Sequence, residues 1–124
     1  MKKYIVAVFV VILSVTCFAS YSFGIDKGKK LLANSHCPRC DLRSADLRSA
    51  DLREADLTRA YLGGADLYKA NLSQANLSGA NLTGANLTGA NLTKANLTGA
   101  EMSGANIAGA IFCDTKTPWG LDNS

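Results

Sequence analysis

The sequence predicts a solenoid, a narrow rod wound from short repeats, and three observations lead to that fold class. Residues 40–114 divide into fifteen five-residue units without an insertion. The first position of the unit is Ala in every unit except the one opened by Cys40, and the third position is Leu in twelve units. Aromatic residues make up only 7% of the 124 residues although 48% are hydrophobic, so the interior must consist of small and aliphatic side chains.

A period of five fits neither an amphipathic helix, which repeats every 3.6 residues, nor a flat strand, which repeats every 2. The unit shows the same small-x-large apolar pair every five residues and then turns through two polar or glycine residues. Because the chain turns by the same amount in each unit, it must wind into a solenoid with a continuous apolar interior.

The tandem pattern Ala-(Asp/Asn)-Leu-x-x resembles the pentapeptide repeat family over residues 40–114. The resemblance implies an all-β fold, a right-handed quadrilateral β-helix with four pentapeptides per coil, so that the fifteen units make just under four coils with a short N-terminal cap. It also implies that the third-position side chains stack as the structural core. These residues are Leu42, Leu47, Leu52, Leu57, Leu62, Leu67, Leu72, Leu77, Leu82, Leu87, Leu92, Leu97, Met102, Ile107 and Phe112.

The N-terminus has the pattern of a secretory signal peptide. Lys2 and Lys3 precede an apolar run at residues 5–13, which is too short for a comfortable membrane span. We expect a signal peptide at 1–19, with cleavage after Ala19 or as late as Gly24; a retained anchor is the alternative. The mature chain would have no membrane span and a net charge near +1, and it would be an exported bacterial protein of the periplasm, a lumen or the extracellular space.

Both ends of the repeat region need protection, because an open solenoid end pairs with other chains. We expect residues 20–39 to form an N-terminal cap segment, with an amphipathic stretch at 27–34. Residues 115–124 would form a C-terminal cap or tail with Trp119 and Leu121 as an apolar lid. The alternative is a homodimer through this end of the β-helix, as in some members of the family that the repeat resembles.

The sequence His36-Cys37-Pro38-Arg39-Cys40 is the strongest local motif. In an exported protein such a pair can form a local disulfide, remain as free thiols, or take part in redox or metal chemistry. Cys37 lies five residues before Leu42 and therefore takes an inward position. A disulfide between Cys37 and Cys40 is the leading interpretation, and a metal site using His36, Cys37 and Cys40 is an alternative; no metal or other cofactor is predicted.

Cys113 lies almost four coils from the Cys-x-x-Cys motif, or about 15–20 Å along the axis, which is too far for an intrachain bridge. The motif and the Phe-Cys-Asp-Thr ending resemble a group of small exported pentapeptide repeat proteins, in which another Cys usually follows. Since this sequence ends at Ser124, we expect a free and partly buried Cys113 thiol; an intermolecular disulfide through Cys113 is the alternative.

Four arginines at the start of the repeat fall on successive sides of the rod and so form a belt around it: Arg43, Arg48, Arg53 and Arg59. Neighbouring acids neutralise this belt, which favours a solvated, charge-balanced surface. Binding of anionic envelope polymers through the arginine belt is the alternative.

The sequence contains no nucleophile–base pair or paired carboxylates of the kind that catalysis needs, so we expect no enzyme and no catalytic residues. Members of the resembled family that protect DNA gyrase are long, dimeric, acidic and cytoplasmic. This chain is short, near neutral and predicted to be exported, so no nucleic-acid partner is expected. The predicted function is a non-enzymatic structural or protein-interaction module with an unknown protein partner, and a thiol or metal module is the alternative.

Overall fold

The computed structural model describes residues 36–120. The predicted signal peptide, its cleavage sites, the stretch at 27–34 and Leu121 lie outside these residues. Within 36–120 there is no helix and no continuous strand; each five-residue unit instead contributes one isolated parallel β-bridge and one two-residue turn. The expected all-β character is therefore present as single-residue bridges, because the chain turns before a second residue can join the ladder.

Every bridge joins residues that are 20 positions apart, from His36 with Asp56 to Asn96 with Lys116. This register places four pentapeptides in each coil and stacks third-position residues above one another. The bridges also extend past the predicted limits of 40 and 114. Because His36 and Lys116 take the bridging second position, residues 36–39 and 115–120 continue the repeat geometry instead of forming separate caps.

The backbone amides of each unit follow one hydrogen-bonding pattern. The second, third and fifth N–H groups donate to neighbouring coils, and the first N–H closes the turn that precedes it. In one unit the bonds run from Tyr61 to Cys40 (2.8 Å), from Leu62 to Asn81 (2.7 Å), from Gly64 to Thr83 (2.8 Å) and from Ala65 to Leu62 (3.0 Å). Only the fourth N–H has no role in this pattern.

The fourth N–H is the reason for Asp or Asn at the second position. In twelve units the side-chain Oδ1 of that residue accepts a hydrogen bond from the fourth-position amide at 2.9–3.4 Å, which forms an Asx turn. Where His36 and Lys116 replace the Asx residue, the fourth position is Pro38 or Pro118. Proline has no N–H, so these two units need no cap.

The fifth position is left-handed throughout most of the rod. Nine non-glycine residues there have φ between 54° and 61°. They are Arg39, Ser44, Ser49, Glu54, Arg59, Lys69, Gln74, Lys94 and Asp114. In the C-terminal half glycine takes most of these positions, for example Gly84 with φ of 66°. Glycine adopts this conformation without the steric cost that a Cβ brings.

The core consists of stacked leucines and alanines, one column of each on every one of the four sides of the rod. The third-position leucines from Leu42 to Leu97 are buried, as are the first-position alanines from Ala45 to Ala100. The last three predicted core residues differ: Met102 and Phe112 are only half-buried and Ile107 is 39% exposed. The prediction for these three was wrong in part, because no described coil packs over residues 101–120.

The expected lid at the C-terminal end is absent from the described residues. Trp119 lies in a turn and is 52% exposed, since the repeat geometry continues and turns its side chain outward. Thr115 and Thr117 take the first and third positions of this last unit instead and are buried. The hydroxyl of Thr115 donates to the Leu92 carbonyl at 2.6 Å, which compensates the burial of a polar group.

Candidate functional site

The Cys-x-x-Cys motif forms part of the core wall. Cys37 and Cys40 are both buried, their Cα atoms are 5.4 Å apart and their sulfur atoms are in direct contact. Cys37 takes the third, inward position and Cys40 the first, small position of the repeat. This geometry suits a disulfide, which requires Cα atoms within about 7 Å.

His36 lies outside that wall. Its Nδ1 is 2.9 Å from the Asp56 carboxylate one coil further along, and its side chain is exposed. Burial would raise the pKa of Asp56, but hydrogen bonds from the Thr58 hydroxyl and amide, together with the nearby His36, outweigh it and lower that pKa. Residues 36–120 contain no group of three or more His, Cys, Asp or Glu side chains placed to hold a metal ion, so His36, Cys37 and Cys40 do not converge.

The predicted arginine belt consists mostly of ion pairs within one unit. Arg43, Arg48 and Arg53 each bind the second-position aspartate of their own unit through Nε and Nη2. These aspartates are Asp41, Asp46 and Asp51. The hydrogen bond from the Arg43 side chain is the largest effect on Asp41 and lowers its pKa. Three belt arginines are thus already bound to carboxylates, and the belt does not act as one basic surface.

Arg59 differs from the other belt residues, because no ion pair joins it to any carboxylate within residues 36–120. The 20-residue register places it directly after Arg39 on the same side of the rod. An open groove of about 420 Å³ runs along this side, and both arginines line it. The sequence prediction did not place Arg39 and Arg59 on the same side, because it began the repeat at Cys40 and so left Arg39 outside it.

The C-terminal end of the described solenoid, residues 101–120, is the most apolar exposed region. Ile107 and Ile111 are 39% and 50% exposed, and Met102 and Phe112 are half-buried beside them. Cys113 is a free thiol on this coil and is exposed. The expectation of a partly buried Cys113 was wrong, since the residue takes the fourth position, which is a turn position that points outward.

The sequence matches the family model for pentapeptide repeats, with eight copies over residues 35–74 and 75–114. Because the match covers well over half of the chain, the protein belongs to the pentapeptide repeat family. Members of this family form right-handed quadrilateral β-helices and are generally non-enzymatic structural or interaction modules.

Several solved structures are similar. A pentapeptide repeat protein from the cyanobacterium Cyanothece 51142 is 38% identical, with a TM-score of 0.55 and coverage of 77% of this chain and 67% of the other. HetL, a pentapeptide repeat protein involved in heterocyst differentiation regulation from Nostoc sp. strain PCC 7120, is 34% identical, with a TM-score of 0.41. That match covers 73% of this chain and 50% of HetL, so the chain spans half the length of that relative.

A third similar structure is a pentapeptide repeat protein of the Arabidopsis thaliana thylakoid lumen, which is 37% identical with a TM-score of 0.28 over 68% of this chain and 66% of the other. No curated protein matches the sequence. Residues 36–120 include no helix of the length and apolar character that a membrane crossing requires.

Proposed function

We propose that the protein is an exported, non-enzymatic pentapeptide repeat protein that acts as a structural or protein-interaction module. Its rod would be a right-handed β-helix of just over four coils instead of the expected just under four, because the repeat geometry runs from 36 to 120. Its compartment would be the periplasm, a lumen or the extracellular space. The observation that carries the proposal is the contrast between a sealed core and the exposed apolar C-terminal end, residues 101–120. The side wall, whose turn amides mostly have hydrogen-bond acceptors, serves as the scaffold. The apolar end serves as the contact surface.

The occupant that we propose for this end is a second copy of the chain. Within residues 36–120 the amides of Ile107, Gly109 and Phe112 donate to no backbone carbonyl, whereas the amides one coil earlier, of Leu87, Gly89 and Leu92, donate to the next coil. The same edge also carries first-position carbonyls that would accept from a following coil. An edge with both donors and acceptors around the exposed Ile107 side chain is self-complementary, as a two-fold dimer requires.

A photo-reactive amino acid at position 107, used in living cells, tests this proposal. We expect crosslinks from position 107 to a second copy of the chain, identified by mass spectrometry. The matched control is the same reagent at position 61, because Tyr61 is 50% exposed but lies on the side wall. Crosslinks from 107 to a different protein would retain the interaction module and reject the homodimer; equal or absent crosslinking at both positions would contradict the whole proposal.

The disulfide between Cys37 and Cys40 is proposed as a staple of the first described coil. It is supported by the burial of both residues and by the contact between their sulfur atoms. The rival is a thiol or metal module that uses His36, Cys37 and Cys40. Intact mass with and without reductant, together with metal analysis, separates the two. We expect a gain of about two mass units on reduction and no bound metal; bound zinc with both thiols free would support the rival.

Export is supported by the sequence pattern of residues 1–19. N-terminal sequencing of the protein from the envelope fraction tests it. We expect a mature chain that begins at Ser20, or at Ile25 if cleavage follows Gly24. An intact Met1 in a cytoplasmic fraction would reject export and leave the interaction proposal to be judged by the crosslinking experiment.

A further inference from the structure

One side of the rod carries two guanidinium groups without carboxylate partners. We call it the Arg39 face and define it by the turn residues 38–39, 58–59, 78–79 and 98–99, which stack at intervals of 20 residues. Of the five arginines in residues 36–120, three are held by an aspartate of their own unit. The other two, Arg39 and Arg59, form no ion pair within these residues, and they lie one coil apart on this face.

The spacing brings the two positive charges close together. Adjacent strands or coils are about 4.8 Å apart, so like charges on successive coils repel each other unless an anion lies between them. Asp56 is the carboxylate of the unit that contains Arg59. It accepts a hydrogen bond from the Thr58 hydroxyl at 2.6 Å and lies 2.9 Å from His36 Nδ1. The two guanidiniums of the Arg39 face therefore have no direct carboxylate partner within residues 36–120, unlike those of Arg43, Arg48 and Arg53.

Side chains with hydroxyl groups line the rest of the same groove. Its lining consists of Pro38, Arg39, Thr58, Arg59, Ser78, Gly79 and Thr98, and its volume is about 420 Å³. Elsewhere Thr88 and Thr93 donate their hydroxyls to the asparagine of their own unit at 2.6 Å. The amides of Ser78 and Thr98 are capped in the same way, but within residues 36–120 their hydroxyls have no hydrogen-bond partner, which leaves them able to donate to a ligand.

The absence of a side chain at Gly79 leaves room for the Arg59 side chain on this face. A Cβ at position 79 would lie 3.1 Å from Arg59 Cγ and 3.9 Å from Arg59 Nε. The side chain of Arg59 therefore lies along the rod axis over the next coil instead of extending straight into solvent. This position directs its guanidinium along the groove, toward the hydroxyls of the following coils.

We propose that the Arg39 face binds a small ligand carrying a phosphate or sulfate group. The guanidiniums of Arg39 and Arg59 hold that group, and the hydroxyls of Ser78 and Thr98, further along the groove, bind the rest of the ligand. Guanidinium forks match the oxygen atoms of such tetrahedral anions and bind them by charge-assisted hydrogen bonds. The groove volume lies within the range of small-molecule sites, about 300–1,000 Å³. The site is separate from the apolar C-terminal end and uses none of its residues.

Titration of the isotope-labelled protein with inorganic phosphate, followed by NMR, tests the proposal. We expect saturable shifts of the Arg39 and Arg59 Nε–H signals and of the Gly79 amide, against which the Arg59 side chain lies, with a dissociation constant of about 1 mM or below. Inorganic sulfate should compete, and the same concentration of chloride should not. Saturation distinguishes a site from general screening, which increases gradually with ionic strength.

The substitutions Arg39→Gly and Arg59→Gly remove one guanidinium each without a backbone penalty, because both residues have left-handed φ values that glycine adopts freely. We expect each to weaken phosphate binding on the order of tenfold or more. The matched control is Lys94→Gly, which removes one positive charge from another left-handed fifth position on a different face. No saturable shifts in the unaltered protein, or equal weakening in Lys94→Gly, would overturn the proposal.

Discussion

Two regions of the rod, residues 41–60 and residues 76–100, build the same turn from different side chains. In 41–60 the second position is Asp and three of the four fourth positions are Arg, whereas 76–100 use Asn followed by Ser or Thr. The capping bond is the same in both: Asp41 Oδ1 accepts the Arg43 amide at 3.2 Å, and Asn91 Oδ1 accepts the Thr93 amide at 3.0 Å. The fifth position is left-handed in both, with Ser, Glu or Arg in the first region and mainly glycine in the second.

The difference shows which parts of the unit determine the coil. The inward leucine, the small residue before it and the Oδ1 acceptor are common to both regions and define the backbone path. The outward fourth and fifth positions vary without changing that path and can therefore carry charge or a binding function. Four predictions test this division, beginning with the largest effect.

Leucine-to-alanine substitutions should have the largest effect and should be equal in the two regions. Leu47 and Leu87 belong to one column and are fully buried. We expect Leu47→Ala and Leu87→Ala each to lower the free energy of unfolding by about 2–5 kcal/mol in urea denaturation, because each leaves a cavity. Ile107→Ala, at the exposed end of the same column, should cost much less. A loss confined to one region would show that the two regions do not share one cooperative core.

Removal of an Asx cap should have an intermediate effect. Asn91→Ala leaves the Thr93 amide and hydroxyl without their shared acceptor, which now accepts at 3.0 and 2.6 Å. We expect a loss of about 1 kcal/mol in the free energy of unfolding. Asn91→Asp preserves the Oδ1 acceptor and serves as the control. If both variants are equally unstable, the asparagine acts through something other than its cap.

At the fifth position, replacing glycine by alanine and replacing another residue by glycine should change the free energy of unfolding in opposite directions. Gly84 has φ of 66° and a Cβ there would meet no atom within 4 Å, so Gly84→Ala isolates the conformational cost. We expect it to lower the free energy of unfolding by about 1 kcal/mol. Glu54→Gly, at φ of 58°, should raise it by up to about 1 kcal/mol. Equal destabilisation by both changes would contradict a left-handed backbone at these positions.

Acid should produce the smallest effect, limited to the aspartate region. The pKa values of Asp41 and Asp56 are lowered in the folded protein, so their contribution to stability is present above the unfolded aspartate pKa of about 3.9 and is lost as the pH falls through the folded pKa. We expect thermal stability to decline only below about pH 4. Asp41→Asn should reduce that decline while keeping the cap, and an unchanged acid profile would count against the Arg43 pair.

Much of the fold could be predicted from the sequence, because the five-residue period directly encodes the inward third-position residues from Leu42 to Leu97. The sequence prediction failed where position in the stack decides burial: Ile107 has the same pattern as Leu87 but no described coil above it. It also missed the Arg39 face, because it began the repeat at Cys40 and so left Arg39 outside the 20-residue register. The charges of Arg43, Arg48 and Arg53 are visible in the sequence, but their pairing two residues back depends on the turn that brings both side chains together.

The direction of the hydrogen bonds between coils gives the rod an electrical polarity. In each unit the third and fifth N–H groups point toward the C-terminal coil, while the second N–H points toward the N-terminal coil. The opposing peptide dipoles therefore do not cancel completely along the axis, as they nearly do in a flat sheet. The excess directs partial positive charge to the C-terminal end and partial negative charge to the other, and each added coil extends that small dipole in the same sense.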